Sequence, residues 1–506
     1  MLLATLFWQP LVFANADANT SALRPAIHYS AARHWINDPN GLVYVQGTYH
    51  LFYQYNPQGS LWGHIGWGHA TSPDLLHWTE LGLAIPEDDA HMIFSGSIVF
   101  DEHNTSGLGR PDTPPLVALY TGANPHGDGR QAQYLAYSLD GGTHWIKYGT
   151  QAVIDRHSSS FRDPKVFWHA ASQRWIMATV LSDQHQVQLY SSTDLRQWQE
   201  ESRFGPIGAT DGDWECPDLF FLPVANGQAG DGRWILKIDV FRSHTLAGSG
   251  SQVFVGDFDG HRFQVDPTDT ATTPVDAGRD FYAAITWNQA PETTLGGAVW
   301  IGWMNSHFYA QEVPTAPWRG LMTLPRDLSL IRSTDGWQLR QAPTHYLKSL
   351  RTSHQVLPTG RLSPNDLPVD LHLPWDGAAE LDLTLGPPED GRCVLAFGDQ
   401  AAQATTLSID QRHHQLTLQR PPLASVTAVE YSTPQTLALP VADTPVRLHG
   451  VLDHGSIELF VNDGQSVFSD QVFSVPSRVT LASVGVGACE ILAGEAWGLT
   501  SSMVRP

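Results

Sequence analysis

Three acidic residues, each leading into a run of apolar residues, are placed to do chemistry: Asp38 in HWINDPNGLVYV, Asp163 in FRDPKVF and Glu215 in WECPDLF. Carboxyls gathered in one pocket cannot all ionise comfortably. Their pKa values are pushed apart, and that separation lets one act as an acid while another acts as a nucleophile at the same pH. Cleavage of a glycosidic bond needs such a pair: one group protonates the leaving oxygen, and the other attacks or activates water at the anomeric carbon. Each residue alone has a plainer reading. Asp38-Pro39-Asn40-Gly41 is the sequence of a type I turn, with Asp, Pro and Gly at their favoured corners. Asp163 pairs naturally with the adjacent Arg162, and Cys216 reads as a small buried apolar residue. Chemistry therefore depends on whether the chain brings the three acids together.

The elements that would do so are short strands. Through residues 30 to 310, apolar runs alternate with Gly, Asn, Asp and Pro, and helical periodicity is not sustained. Five strands open successive units at Leu42-Val43-Tyr44, 97–100, 165–168, 218–221 and 284–287. Taking Val43, Ile98, Val166, Leu219 and Ile285 as equivalent gives spacings of 55, 68, 53 and 66 residues. A second apolar strand follows in each unit, at 49–55, 116–122, 174–180, 233–239 and 298–304, and is read as leading directly into a turn. Those turns are Ser-x-Asp segments followed by Trp at 72–78, 138–145 and 192–198, with 256–263 a looser fourth. Three or four strands repeated five times predict an all-β, five-bladed β-propeller over residues 25–345.

In a propeller the innermost strands run side by side round a channel, so the residues just before them converge at one mouth. Those positions hold Asn37 and Asp38, Phe94 and Ser95, Arg162 and Asp163, Glu215 and Cys216, and Phe281 and Tyr282. Beyond about residue 345 the pattern changes. A Pro-, Ser- and Thr-rich stretch predicts a linker over 346–365, and alternating strands such as 405–410 and 456–464 predict a β-sandwich over 366–506, with a hairpin turn at Asn462-Asp463-Gly464.

The 506 residues exceed what one core usually serves, in keeping with two domains. A net charge of −22 repels polyphosphates and anionic lipid, which argues against nucleic-acid and membrane-surface partners and for a neutral substrate. The 18 Trp suit stacking on the C–H face of a sugar ring. Residues 1–16 form a short apolar stretch ending Ala14-Asn15-Ala16, which predicts a secretory signal. Of three cysteines, Cys393 and Cys489 could pair in an oxidising compartment, leaving Cys216 free. The 23 His show no metal-ligand spacing, so neither a metal nor another cofactor is expected, and no signal for an oligomeric state is present.

The motifs resemble those of glycoside hydrolase family 32, the invertases, levanases, inulinases and fructan exohydrolases. WINDPNG (35–41), FSGS (94–97), FRDPKVF (161–167) and WECPDLF (214–220) look like the sucrose-binding box and the second-blade, RDP and EC motifs of that family. YQYNP (53–57), WGHIGWGHA (62–70), VGDFDG (255–260), DFYA (280–283), PWRG (317–320) and ELFVNDG (458–464) extend the resemblance along most of the chain. It implies Asp38 as nucleophile, Glu215 as general acid/base and Asp163 as a stabiliser that binds fructose hydroxyls. It also implies sugar contacts from Asn37, Asn40, Gln54, Trp62, Ser95, Tyr282 and Trp318, with Phe94 beside them. Arg162 is expected to contact a hydroxyl or hold a carboxylate, and Cys216 to pack against the acid/base. The implied activity is retaining exo-hydrolysis of terminal β-fructofuranosyl units from levan or inulin, and from sucrose. The alternatives are a fructosyltransferase using the same nucleophile and a non-catalytic fructan-binding protein.

Overall fold

The computed structural model describes residues 22–503, apart from 229, 247–249, 268–273, 292–296, 335, 388–390, 411 and 440–443. The signal expected at 1–16 lies outside the described residues. Five sheets occupy the first two-thirds of the chain. Their innermost strands are His34–Val45, Met92–Phe100, Phe161–His169, Trp214–Pro223 and Tyr282–Thr286. Each packs against the next and the last returns to the first, so the five inner strands close a ring. The two-residue strand Trp318–Arg319 seals it by pairing in parallel with His34 and Trp35. This is a β-propeller, and each junction between neighbouring sheets has its own apolar filling. Val43, Phe52, Trp67, Ile98 and Leu116, for example, pack between the first and second sheets.

The Ser-x-Asp turns form where expected, because each Asp carboxylate accepts backbone N–H groups two to four residues on. Asp74 takes those of Leu76 and His77, Asp140 that of His144, and Asp194 those of Arg196 and Gln197. They do not follow the second strand directly, however. A third strand intervenes, as at Gly66–Ser72, and its small and polar residues hid it from an apolar-run criterion.

All five inner strands carry a bulge at one level. Pairing with the second strand skips between Ile36 and Pro39, Ile93 and Gly96, Arg162 and Lys165, Glu215 and Asp218, and Tyr282 and Ile285. The functional candidates are thus inside the strands instead of ahead of them. The type I turn expected at Asp38-Pro39-Asn40-Gly41 does not form; the strand runs straight through it. Pro39 is tolerated because a bulge has already broken the ladder. Gly41 has φ +55°, and a Cβ there would lie 2.6 Å from Ile98 Cδ1, so its glycine serves close packing of two inner strands.

The second domain is two facing sheets around one apolar core. One contains Arg351–Val356, Cys489–Leu499, Ala378–Leu385, Val446–Asp453, Ser456–Val461 and Ser466–Gln471; the other contains Val369–Asp370, Val479–Gly485, Gly391–Phe397, Thr405–Asp410, Gln415–Gln419 and Gln435–Ala438. Cys393 and Cys489 form a disulfide between the sheets. The hairpin at Asn462-Asp463-Gly464 forms, with all three residues left-handed. The stretch read as a linker differs: 346–365 holds most of a short 3₁₀ helix, His345–Leu350, and the strands Arg351–Val356 and Gly360–Leu362, both paired with Cys489–Leu499. Its polar residues are those of an exposed sheet edge, which composition alone does not distinguish from a linker.

Candidate active site

The bulges aim side chains from several sheets into one cavity of about 630 Å³ at the mouth of the ring. Asp38, Asp163 and Glu215 all line it, with Asn37, Gln54, Trp62, Phe94 and Arg162. A bulge leaves residues outside the ladder and redirects them, and three sheets use this to converge their acids. Asp163 has φ +63° and Cys216 φ +46°, the turned backbone that a bulge requires.

Asp38 is held from three sides. Asn37 Nδ2 donates to its Oδ1 at 3.0 Å, while Ser95 Oγ and Gln54 Nε2 donate to its Oδ2 at 2.6 and 3.1 Å. Trp35 Nε1 in turn fixes Asn37 at 2.7 Å. Asp163 Oδ2 accepts the Cys216 N–H at 3.0 Å, and the Cys216 thiol lies 3.7 Å from both Asp38 Oδ2 and Asp163 Oδ2. Lys237 Nζ donates to the Cys216 carbonyl at 2.9 Å and so pins this bulge from below. Glu215 Oε1 accepts Arg162 Nη2 at 2.9 Å and Nε at 3.1 Å, and its Oε2 accepts the Tyr282 hydroxyl. Arg162 lies farther from Asp163, 3.8 Å, so the carboxylate it holds is that of Glu215.

These contacts divide the acids. Burial pushes the Asp163 carboxyl up, and the neighbouring Glu215 and Asp38 charges add to this against the pull of Arg162. Burial also opposes ionisation of Glu215, but the Arg162 charge and the hydrogen bonds from Tyr282 and Arg162 outweigh it and hold Glu215 below the ordinary carboxylate range. The expected separation therefore exists, but its raised member is Asp163. Burial together with the Asp163 and Asp38 charges raises the Cys216 thiol well above its ordinary value, so it stays a protonated thiol and not a thiolate nucleophile.

Not every candidate reaches the cavity. Asn40 spends its side chain on backbone, donating to Asp38 O at 3.0 Å and accepting from Gly96 N at 3.0 Å, which fixes the bulge. Ser95, Cys216 and Tyr282 act on the acids and not on the cavity wall. Trp318, expected as a sugar contact, is 3 % exposed and lies outside the cavity, with the Arg24 guanidinium 4.5 Å over its ring. Its place in the ring-sealing strand determines that. Sequence reasoning missed Gln131, Ser159, Ser160, Asp213, Phe241, Arg242 and the loop 307–312, which with Trp35 complete the lining. Several of these follow the second strand of a sheet: Phe241 and Arg242 come after Gly232–Val240, and 307–312 after Val299–Trp303. In an antiparallel pair the second strand ends at the mouth where the first begins, so the repeat already marked them.

The family model described as Glycosyl hydrolases family 32 N-terminal domain matches residues 28–343, and that described as Glycosyl hydrolases family 32 C terminal matches 346–491. The chain belongs to glycoside hydrolase family 32. It is a glycoside hydrolase. A levanase of Bacillus subtilis is 38 % identical over 476 residues, covering 92 % of this chain and 69 % of that one. An extracellular exo-inulinase of Aspergillus niger is 34 % identical over 519 residues, 95 % of each. The crystal structure of exo-inulinase from Aspergillus awamori superposes with a TM-score of 0.85 at 32 % identity, covering 96 % of this chain and all of that one. This family's propeller and sandwich are the two domains described above.

Proposed function

We propose that the protein is a retaining exo-β-fructofuranosidase that removes terminal β-fructofuranosyl units from levan or inulin, and fructose from sucrose. The observation that carries this reading is the convergence of Asp38, Asp163 and Glu215 on one cavity, with Glu215 clamped by Arg162 and Tyr282 and Asp38 tethered separately by Ser95. Names of the relatives, levanase and exo-inulinase, support the substrate class. The extracellular exo-inulinase relative supports secretion, and no helix among the described residues is long and apolar enough to cross a membrane.

Asp38 attacks C2 of the fructosyl unit while Glu215 gives its proton to the departing oxygen. A fructosyl–Asp38 ester forms as the glycosidic bond breaks. Water then enters, Glu215 takes its proton, and the ester bond breaks to release fructose. Arg162 and Tyr282 favour the Glu215 carboxylate, the form the second step uses. A neutral sugar seated against Glu215 displaces water and favours its protonated form, which the first step uses. Asp163 hydrogen-bonds fructose hydroxyls beside them. Trp62, 43 % exposed and edge-on to Phe94 at 5.9 Å, offers an aromatic wall for the sugar.

The test is fructose release from levan, inulin and sucrose assayed side by side with the parent and Glu215→Gln. The parent should release fructose from at least one, and the variant should lose about 10²–10⁴ of that rate. No release from any of the three would overturn the reading in favour of a binding protein. Kestose-type products in excess of free fructose would overturn it in favour of transfer.

A further inference from the structure

A buried imidazole in the cavity wall is used by none of the steps above. His307 follows the second strand of the fifth sheet, and its loop is braced from both domains: Tyr309 OH donates to Asp280 Oδ1 of the propeller at 2.6 Å and accepts from Arg420 Nη2 of the sandwich at 2.9 Å. The ring of His307 is wedged edge-on against Tyr282, with centroids 4.7 Å apart at 89°, and flanked by Phe241 at 4.7 Å and Trp303 at 5.0 Å. Its carbonyl accepts from Arg242 at 3.0 Å. Yet its Nε2, buried, has no hydrogen-bond partner among the described residues. A buried polar atom left unpaired is costly, and native structures rarely carry one without a use. Tyr282, on which this ring rests, is the same residue that donates to Glu215 Oε2.

We propose that His307 is a positioning residue for the acid/base, its Nε2–H held in reserve for the Glu215 carboxylate of the sugar-occupied site, formed when the leaving group takes the proton. This rests on the reading of Glu215 as acid/base. Arg162 already occupies Oε1 and Tyr282 one side of Oε2; His307 supplies a third donor and keeps the carboxylate aimed at the incoming water. The charged and titratable groups around the ring are Glu215 and Asp38, which attract a proton to it, Arg242 and Arg162, which repel one, and Tyr282 beneath it. Burial, the largest influence, lowers its pKa and keeps the imidazole neutral, a donor through one nitrogen only.

The test is the pH dependence of kcat on sucrose, which reports the substrate-bound enzyme, for the full chain and for His307→Phe, His307→Asn and His307→Gln, with melting temperatures measured alongside. Loss of a donor to the carboxylate raises the pKa of Glu215, so the alkaline limb should move up by roughly half a pH unit or more in the Phe and Asn variants. The Gln variant, whose amide reaches farther, should stay closer to the parent. If Phe does not fold, the Asn variant decides alone. An unmoved limb in the folded variants, with only stability or kcat changed, would overturn the proposal. Glu215→Gln separates the two failures: if it retains activity and the limb, the Glu215 reading fails; if it is inactive while the His307 variants keep the limb, only the His307 proposal fails.

Discussion

The molecule has two buried charge clusters built from the same residue types. At the cavity, Asp163 and Glu215 share Arg162 while Asp38 is held by Asn37, Gln54 and Ser95, and one carboxyl is pushed up while another is pulled down. Between the domains, Arg326 donates to Asp276 at 2.9 Å, to Glu458 and to Ser469, and Arg420 to Asp280 at 2.6 Å, with Asp470 at 3.1 Å. His28 there bridges Asp453 at 2.7 Å and Glu458 at 2.9 Å. Each of the five interdomain acids touches at least one of three cations, Arg326, Arg420 or His28, and has no opening. The cavity acids outnumber theirs and face space. The difference teaches where the chain leaves acids open for chemistry and where it sets each against a cation to lock two domains.

Exchanging the two outcomes would break this comparison. Asp38→Asn should lower kcat/KM on the order of 10⁴-fold or more with the melting temperature nearly unchanged, read by fructose release and calorimetry. Arg326→Met should do the reverse. Removing it leaves buried Asp276 and Glu458 short of a partner, a destabilisation of about 3–5 kcal/mol in denaturant titration. Reduction of Cys393–Cys489 should cost about 2–5 kcal/mol, seen as a lower melting temperature in reductant that a Cys393→Ser variant does not show.

The smallest effect is a pH dependence. Burial opposes a charge on His28, but Asp453 and Glu458 outweigh it and raise its pKa from 6.5 to about 9. A group raised on folding stabilises fully below its unfolded value and stops doing so as pH passes its folded value. Melting temperature should therefore decline from pH 6.5 to about 9, and His28→Gln should flatten that decline.

The comparison also shows what a sequence discloses. Inner and second strands were legible because their apolar runs recur, and the acids because each opens such a run. The bulges were not, since Asp-Pro-Asn-Gly is equally good turn chemistry and only strand pairing decides between the two. The third strand Gly66–Ser72 and the edge strand Arg351–Val356 escaped because packing, not propensity, makes them strands. Motif likeness placed Trp318 in the site, while the backbone uses it to seal the ring. His307 was missed because a lone His in a loop carries no pattern, and its meaning lies in Tyr282 and Glu215, residues remote in sequence.

The central claim is that Asp38 attacks while Glu215 serves the leaving group and then the water. It is tested most directly by acid-quenching turnover on sucrose and mass-mapping the digested protein. A single fructosyl unit on the peptide containing Asp38 is the predicted result. An adduct on the peptide of Asp163 or Glu215 instead, or no adduct together with inverted product in methanolysis, would contradict the account.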